Sequence, residues 1–428
     1  MQTKTFDYVD GVLCCEGVPL SRIAQRFGTP TYVYSRNAIR GAYREFAQAA
    51  QRHSHDGLRA WVTYAVKANG NLAVLADLAR EGAGFDIVSA GELARVLAAG
   101  GAASHTVFSG VGKSADEIRR ALELGVRCFN VESEAELDRI EQVAAGLDKR
   151  APVSLRVNPD VDAGTHPYIS TGLRENKFGI AHGRALDVYR HAASLPHLDV
   201  VGIDCHIGSQ ITSMAPFLAA LEKVLELVDA LDAAGIPVRH LDLGGGLGIR
   251  YADETPPARG EMIDALLSRI EAWRGVRQVE VMFEFGRSIV AEAGALLTRV
   301  EYMKANGDKR FAVIDAAMND LLRPTLYDAW HPVLPVKQAA PGVQAPEVDL
   351  VGPVCESGDW IARGRAVPAA EGDLLAVLCT GAYGFAMSSN YNTRPRAAEV
   401  MVDGQRVECV RARERLEDLW AGERIVEG

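Results

Sequence analysis

No stretch of the 428-residue sequence stays apolar over membrane-spanning length, and Met1-Gln2-Thr3-Lys4-Thr5-Phe6-Asp7 lacks the apolar run of a secretory leader. A basic excess is missing too. The 46 Lys and Arg face 56 Asp and Glu, and a formal charge of −10 argues against nucleic acid or an anionic membrane surface as the main partner. Cysteine is sparse and unpatterned: Cys14, Cys15, Cys128, Cys205, Cys355, Cys379 and Cys409 form no C-x-x-C and are odd in number. Neither a disulfide framework nor a metal site is expected, and reduced thiols fit a cytoplasmic protein. No low-complexity tract or long linker separates independently moving parts.

What is present is a regular alternation. Strand-like runs fall at 61–66, 85–89, 106–110, 127–132, 153–158, 200–207, 240–243 and 280–285, with helical patterns such as 72–81 and 216–234 between them. Ser89/Glu92, Ser114/Glu117 and Ser133/Glu136 have the spacing of capping boxes, which fix where a strand hands over to a helix. Eight β-α units in about 225 residues predict a (β/α)₈ barrel. A doubly wound open sheet is the alternative, but its Gly-x-Gly-x-x-Gly signal is missing after the first strand.

The flanks differ. The first 36 residues read as a small β unit, with runs at 6–9 and 12–15 around Asp10-Gly11, a strand at Thr31 to Tyr34, and a helix capped by Ser35. Beyond about 292, strands are expected at 297–303, 311–315, 374–379 and in a hairpin around Asp403-Gly404, while prolines and glycines punctuate 331–353. The domain reading is a barrel over 37–292. A sandwich or Greek-key β domain over 293–428 would be completed by residues 1–36.

Barrel enzymes place their chemistry at the carboxyl ends of the strands. Those positions hold Lys67, His206, Gly244-Gly245-Gly246 and Glu284-Phe285-Gly286-Arg287. Lys67 sits among Ala and Val, where poor access to water would favour the free amine as nucleophile or Schiff-base partner, unless it simply snorkels to the surface. The glycines could bring backbone N–H groups to a phosphate, though tight turns use glycine as well, and Ser209 could add a hydroxyl. Glu284 could hold a heterocyclic N–H⁺, or else pair with Arg287. His206 alone is more often a satisfied core histidine. Gly110-Val111-Gly112-Lys113-Ser114 imitates a nucleotide loop, but position 107 is Val, not the required Gly. A lysine, a phosphate cradle and a carboxylate for a ring nitrogen together describe pyridoxal phosphate.

With these residues, Tyr64-Ala65-Val66-Lys67-Ala68-Asn69, His206-Ile207-Gly208-Ser209-Gln210 and Cys355-Glu356-Ser357-Gly358-Asp359, the chain resembles the fold-type III pyridoxal-phosphate decarboxylases over about 7–411. The most specific matches are His166 to Gly172, Asn319-Asp320-Leu321-Leu322-Arg323-Pro324 and Asn390-Tyr391-Asn392. The resemblance implies decarboxylation of meso-2,6-diaminopimelate to L-lysine. Lys67 would carry the cofactor as a Schiff base, with His206 stacked on its ring and Glu284 on its nitrogen. Ser209 and Gly244 to Gly246 would hold the phosphate, and Asp86, Gly286 and Arg287 would join the cofactor site. Arg287, Arg323 and Tyr327 would grip the distal carboxylate, Glu356 the distal amine, and Tyr383 would touch both cofactor and substrate. Cys355 would act as general acid, and the active site would form across a homodimer.

Two departures stand out. Phe285 replaces the usual Pro of Glu-Pro-Gly-Arg, which puts the rigidity of that turn in question. Ala317 replaces a common Gly, which argues against a positive φ there. Other readings are a decarboxylase of ornithine, lysine or a carboxylated intermediate; an alanine-type racemase, whose Tyr-Gly-His-Gly segment is absent after Asn69; and a non-catalytic pyridoxal-phosphate carrier. A carrier would not need the Cys-Glu loop.

Overall fold

The computed structural model describes residues 5–162, 164, 171, 176–340, 342 and 345–426. Of the His166 to Gly172 segment only Thr171 is described; His166 to Ser170 and Gly172 lie outside the described residues. The chain divides into two units. One comprises Arg40–Arg250 and Glu254–Ser288, the other Met1–Ile39, Tyr251–Asp253 and Ile289–Gly428.

The first unit is the barrel. Leu58–Ala65, Gly84–Ile87, Thr106–Phe108, Cys128–Val131, Ala151–Asn158, Leu198–Asp204, His240–Asp242 and Val279–Phe285 pair in parallel in that order. Val279–Phe285 returns to Leu58–Ala65 and closes the ring. The eight sequence runs thus find their strands, each within a few residues. Strands buried on both faces read as near-continuous apolar runs, which is why they were visible.

The helix caps are less uniform than the sequence spacing suggests. Ser89, Ser114 and Ser133 each accept the N–H three residues on, but only Ser114 receives the reciprocal bond that completes a box. Glu92 and Glu136 instead accept the N–H one residue before the cap, from Val88 and Glu132. Ser89 and Ser133 sit at φ −159, Ser114 at φ −74, and this rotation swings the preceding peptide toward the carboxylate.

Phe285 settles into the barrel wall. It is fully buried, in register with Tyr64, and its ring stacks on Phe46 with centroids 3.9 Å apart and on Phe283 at 5.8 Å. Ring packing therefore fixes the end of the eighth strand where proline would fix it by its locked φ.

The second unit is a mixed nine-stranded sheet built on the long strand Gly294–Asn306. Its first half pairs with Thr31–Ser35 and Leu374–Leu378, its second half with Lys309–Ile314. Thr31–Ser35 also pairs in parallel with Ala398–Asp403, so an N-terminal strand does complete the sheet. The hairpin Phe6–Val9/Val12–Cys15 turns at Asp10 (φ 50) and Gly11 (φ 76) and forms a separate three-stranded sheet with Val18–Pro19.

Two expectations need correction here. The first 36 residues are not all β: Leu20–Phe27 is a helix whose Leu20, Ile23 and Ala24 enter the core with Val33, Leu297 and Val400. Strands Val333–Pro335, Glu347–Val351 and Trp360–Ala366 were hidden by the prolines and glycines around them. Ala317 has no positive φ, as its side chain implied.

Candidate active site

In the barrel, Lys67 lies in the 3₁₀ turn Val66–Ala68 that ends the first strand. The turn is pinned from both sides. Tyr64 Oη donates to Asn69 O (2.9 Å), Asn69 Oδ1 accepts from Asn71 N (3.0 Å), and Asn71 caps the next helix through Ala73 N. The Lys67 side chain is not dry, as sequence suggested, but 37% exposed, and its Nζ donates to Asp86 Oδ2 at 2.8 Å. What the fold gives this amine is a fixed anionic neighbour and an open approach. Asp86 is fully buried, and its other oxygen, Oδ1, has no hydrogen-bond partner among the described residues.

Behind it stands a carboxylate cluster that the sequence reading largely missed. Asp204, Asp242 and Glu284 have oxygens within 4.8 Å of one another, all buried. Strand register puts Asp204 between Arg156 and Asp242. Asn130 Nδ2 reaches Glu284 Oε1 (3.3 Å), Asp242 Oδ2 (3.4 Å) and Ser109 Oγ (3.2 Å). Asn130 Nδ2 thus donates to Asp242 and Glu284, and Gly244 N to Asp242, while Asp204 Oδ1 has no hydrogen-bond partner among the described residues. Burial, then Asp242, Asp86 and Asp204, push the Glu284 carboxyl well above its usual range. Burial likewise raises Asp204, and raises Asp242 to about 6. Arg156 is the nearby buried cation, but its Nη1 is committed to Glu132 at 2.8 Å. One signal could have found Asn130, Asp204 and Asp242: each is a polar residue in the last two positions of its barrel strand.

The glycine loop after the seventh strand is demanded by packing. A Cβ on Gly245 would sit 1.9 Å from Glu284 O, one on Gly244 2.6 Å from Cys205 O, and one on Gly246 2.3 Å from Gly208 O. Two of its N–H groups are also already used: Gly244 N donates to Asp242 Oδ1 (3.0 Å) and Gly245 N to His206 Nδ1 (3.1 Å). The glycine loop read from sequence as a phosphate holder thus has two of its three N–H groups engaged within the protein. Gly246 N–H, which has no acceptor among the described residues, is the one remaining in the loop. Nearby, Arg287 donates to Ser209 Oγ through Nε (3.3 Å) and Nη2 (3.0 Å), so a hydroxyl and a guanidinium stand together. Gly286 serves close packing, its notional Cβ lying 2.9 Å from Ala68 Cβ.

Because His206 Nδ1 accepts, its proton belongs on Nε2. Burial, then Arg156 and Lys67, holds the ring neutral by lowering its pKa well below the usual value. Lys113 of the false nucleotide loop is saturated by Gly110 O, Asn130 O and Glu136 Oε1, and has nothing left for a phosphate.

The second unit carries the other sequence candidates. Arg323 opens the short helix Arg323–Tyr327 and is buried. Its Nη1 donates to His331 Nε2 at 2.8 Å, and its guanidinium lies 4.7 Å from the Tyr251 ring centre. Cys355 and Glu356 lie exposed on a loop pinned by buried Asp359, which accepts from Met318 N (2.6 Å) and Val354 N (2.7 Å). Asp359 is thus a loop anchor. Tyr383 stands at φ 55, a left-handed conformation that side chains rarely take.

In the barrel, a lysine amine, a buried carboxylate with raised proton affinity, a neutral imidazole and a Ser–Arg–Gly246 anion site are the donor set that pyridoxal phosphate requires, and the residues fit it. Residues 38–291 match the family model described as pyridoxal-dependent decarboxylase, pyridoxal binding domain. A diaminopimelate decarboxylase of Pseudomonas aeruginosa is 61% identical over 423 residues, 99% of each chain. A crystal structure of diaminopimelate decarboxylase from M. jannaschii with L-lysine aligns with a TM-score of 0.92 at 37% identity, covering 99% of this chain and 98% of that one. The Helicobacter pylori enzyme complexed with L-lysine aligns with a TM-score of 0.87 at 41% identity, covering 94% and 98%. The chain belongs to the diaminopimelate decarboxylase family of pyridoxal-dependent decarboxylases, carboxy-lyases that work with pyridoxal phosphate.

Proposed function

We propose that the protein decarboxylates meso-2,6-diaminopimelate to L-lysine and CO₂. Bound pyridoxal phosphate supplies the sink for the electron pair left when CO₂ departs. Lys67 binds the cofactor aldehyde covalently, and Asp86 holds the amine beside it. Glu284 would take the ring N–H⁺, a positive charge that offsets the burial and neighbouring carboxylates which otherwise favour its protonated form. Neutral His206 stacks on the ring face, while Ser209, Gly246 and Arg287 take the phosphate. Arg287, Arg323 and Tyr327 grip the distal carboxylate, and Glu356 the distal amine. Cys355 returns the proton, and Tyr383 lines the site.

The observation that carries the substrate choice is Arg323, a buried guanidinium braced on two sides, suited to a distal carboxylate that simple diamino monoacids lack. A substrate without the distal ammonium forgoes the charge pairing that Glu356 would offer. The test is CO₂ release from meso-diaminopimelate, L-lysine and L-ornithine with added cofactor. Activity on the first alone is expected, and activity only on the other two overturns the assignment.

The same reading includes a cytoplasmic homodimer whose partner subunit supplies Cys355 and Glu356, and domains at 37–292 and at 1–36 with 293–428. Among the described residues no helix is long and apolar enough to cross a membrane. Mixing Lys67→Ala with Cys355→Ala protein should restore part of the activity if sites are shared. No restoration after subunit exchange argues against sharing.

A further inference from the structure

We propose that His331 is a positioning residue: it sets the plane of the Arg323 guanidinium and so governs how tightly the site holds the distal carboxylate of its substrate. The inference rests on the reading that Arg323 binds that carboxylate.

The geometry is that of a brace. His331 is fully buried, and its two ring nitrogens face different partners. Nδ1 lies 2.9 Å from Leu378 O, a pure acceptor, so Nδ1 carries the proton. Nε2 is therefore an acceptor, and Arg323 Nη1 donates to it at 2.8 Å. A backbone carbonyl thus selects the tautomer, and the tautomer selects the orientation of the guanidinium. Tyr251 completes the arrangement. Its ring lies 4.7 Å from the Arg323 guanidinium carbon and packs edge-on against His331, with ring centres 5.2 Å apart at 80°. One edge of the fork and its stacking partner are thereby fixed. An arginine binds a carboxylate in two parallel bonds only when its plane is correct, so orientation becomes affinity. His331 and Tyr251 lie outside the segments that suggested the site.

The test uses holoenzyme and two ligands, titrated through the change they cause in the cofactor absorbance. L-lysine, bound as the product with its side-chain amine toward the cofactor, keeps the retained carboxylate in question; cadaverine is the same diamine without it. In His331→Leu the brace is lost, and L-lysine binding should weaken roughly tenfold, the scale of one charge-assisted hydrogen bond, while cadaverine binding stays as in the unmodified protein. His331→Gln, whose amide can accept from Arg323 and donate to Leu378 O, should recover most of the loss. Tyr251→Leu should move the same ratio in the same direction and serves where His331→Leu fails to fold. With meso-diaminopimelate the loss should appear in KM with kcat nearly unchanged.

Arg323→Met separates the two levels of the argument. If it lowers the L-lysine to cadaverine affinity ratio and neither brace variant does, the role of His331 is overturned. If Arg323→Met itself leaves the ratio unchanged, the carboxylate reading of Arg323 is what fails.

Discussion

Lys113 tests whether the Gly110–Ser114 loop is a phosphate site or a buried girder. Its side chain is 1% exposed, that of Glu136 6%, and the amine donates to Glu136 Oε1 at 2.6 Å, Asn130 O at 2.7 Å and Gly110 O at 2.9 Å. Lys113→Met fills the volume but leaves two carbonyls without their donor and Glu136 with only the Glu132 N–H, 2.9 Å away. Breaking a buried ion pair from one side costs about 3–5 kcal/mol, far above the 0–1 kcal/mol of a surface pair. Replacing both partners, Lys113→Met with Glu136→Met, should recover much of that loss, because the charge left behind is removed along with the one deleted. Urea unfolding followed by circular dichroism measures both variants. Pyridoxal phosphate affinity should change less than tenfold, about 1.4 kcal/mol. A stability loss below about 1 kcal/mol would show a solvated amine, and a collapse of cofactor affinity in a stable variant would restore the phosphate reading.

Lys67→Ala should abolish the visible absorbance of the holoprotein and its fixation by borohydride; a surviving band refutes the covalent assignment. Cys355→Ala should keep that band and lose turnover, whereas a cofactor carrier would lose nothing measurable. Gly245→Ala should lower cofactor affinity at least tenfold, because its Cβ would meet Glu284 O at 1.9 Å; an unchanged affinity means the loop can shift. Asp242→Asn probes the acid cluster in cofactor-free protein. Burial raises Asp242 from 3.8 to about 6, so between those values the folded state keeps a proton the unfolded chain has released. The contribution of Asp242 must then fall as pH rises through that window, and Asp204 and Glu284, whose carboxyls are raised as well, add to the decline. The variant should show a smaller drop in melting temperature from pH 4 to pH 6 than the parent; an equal drop places the titration elsewhere.

What could be read from sequence, and what could not, follows from the range of each interaction. The barrel was legible because each strand is a local apolar run and each strand end carries its own punctuation. Lys67, His206 and Glu284 could be named because strand ends are where a barrel works, and because the segments around them resemble a known family. Asn130, Asp204 and Asp242 carried the same strand-end signal without a motif, and were passed over. Their meaning lies in register: Asp204 is informative only once it is seen beside Arg156 and Asp242. The helix Leu20–Phe27 was lost for the opposite reason, since its eight residues hold just Leu20, Ile23 and Ala24 as buried markers, too few to outweigh the β runs on either side.

His331 marks the limit. Nothing local distinguishes it from a core histidine, and a core histidine is what it is by burial. Its consequence comes from Leu378, 47 residues away, whose carbonyl decides which nitrogen faces Arg323. Chemistry borne by single residues is therefore readable one segment at a time, whereas chemistry set by which atom faces which can be read only from the fold. In this protein the two meet at the Arg323 guanidinium. A motif supplies the charge, and a carbonyl outside any motif sets its direction.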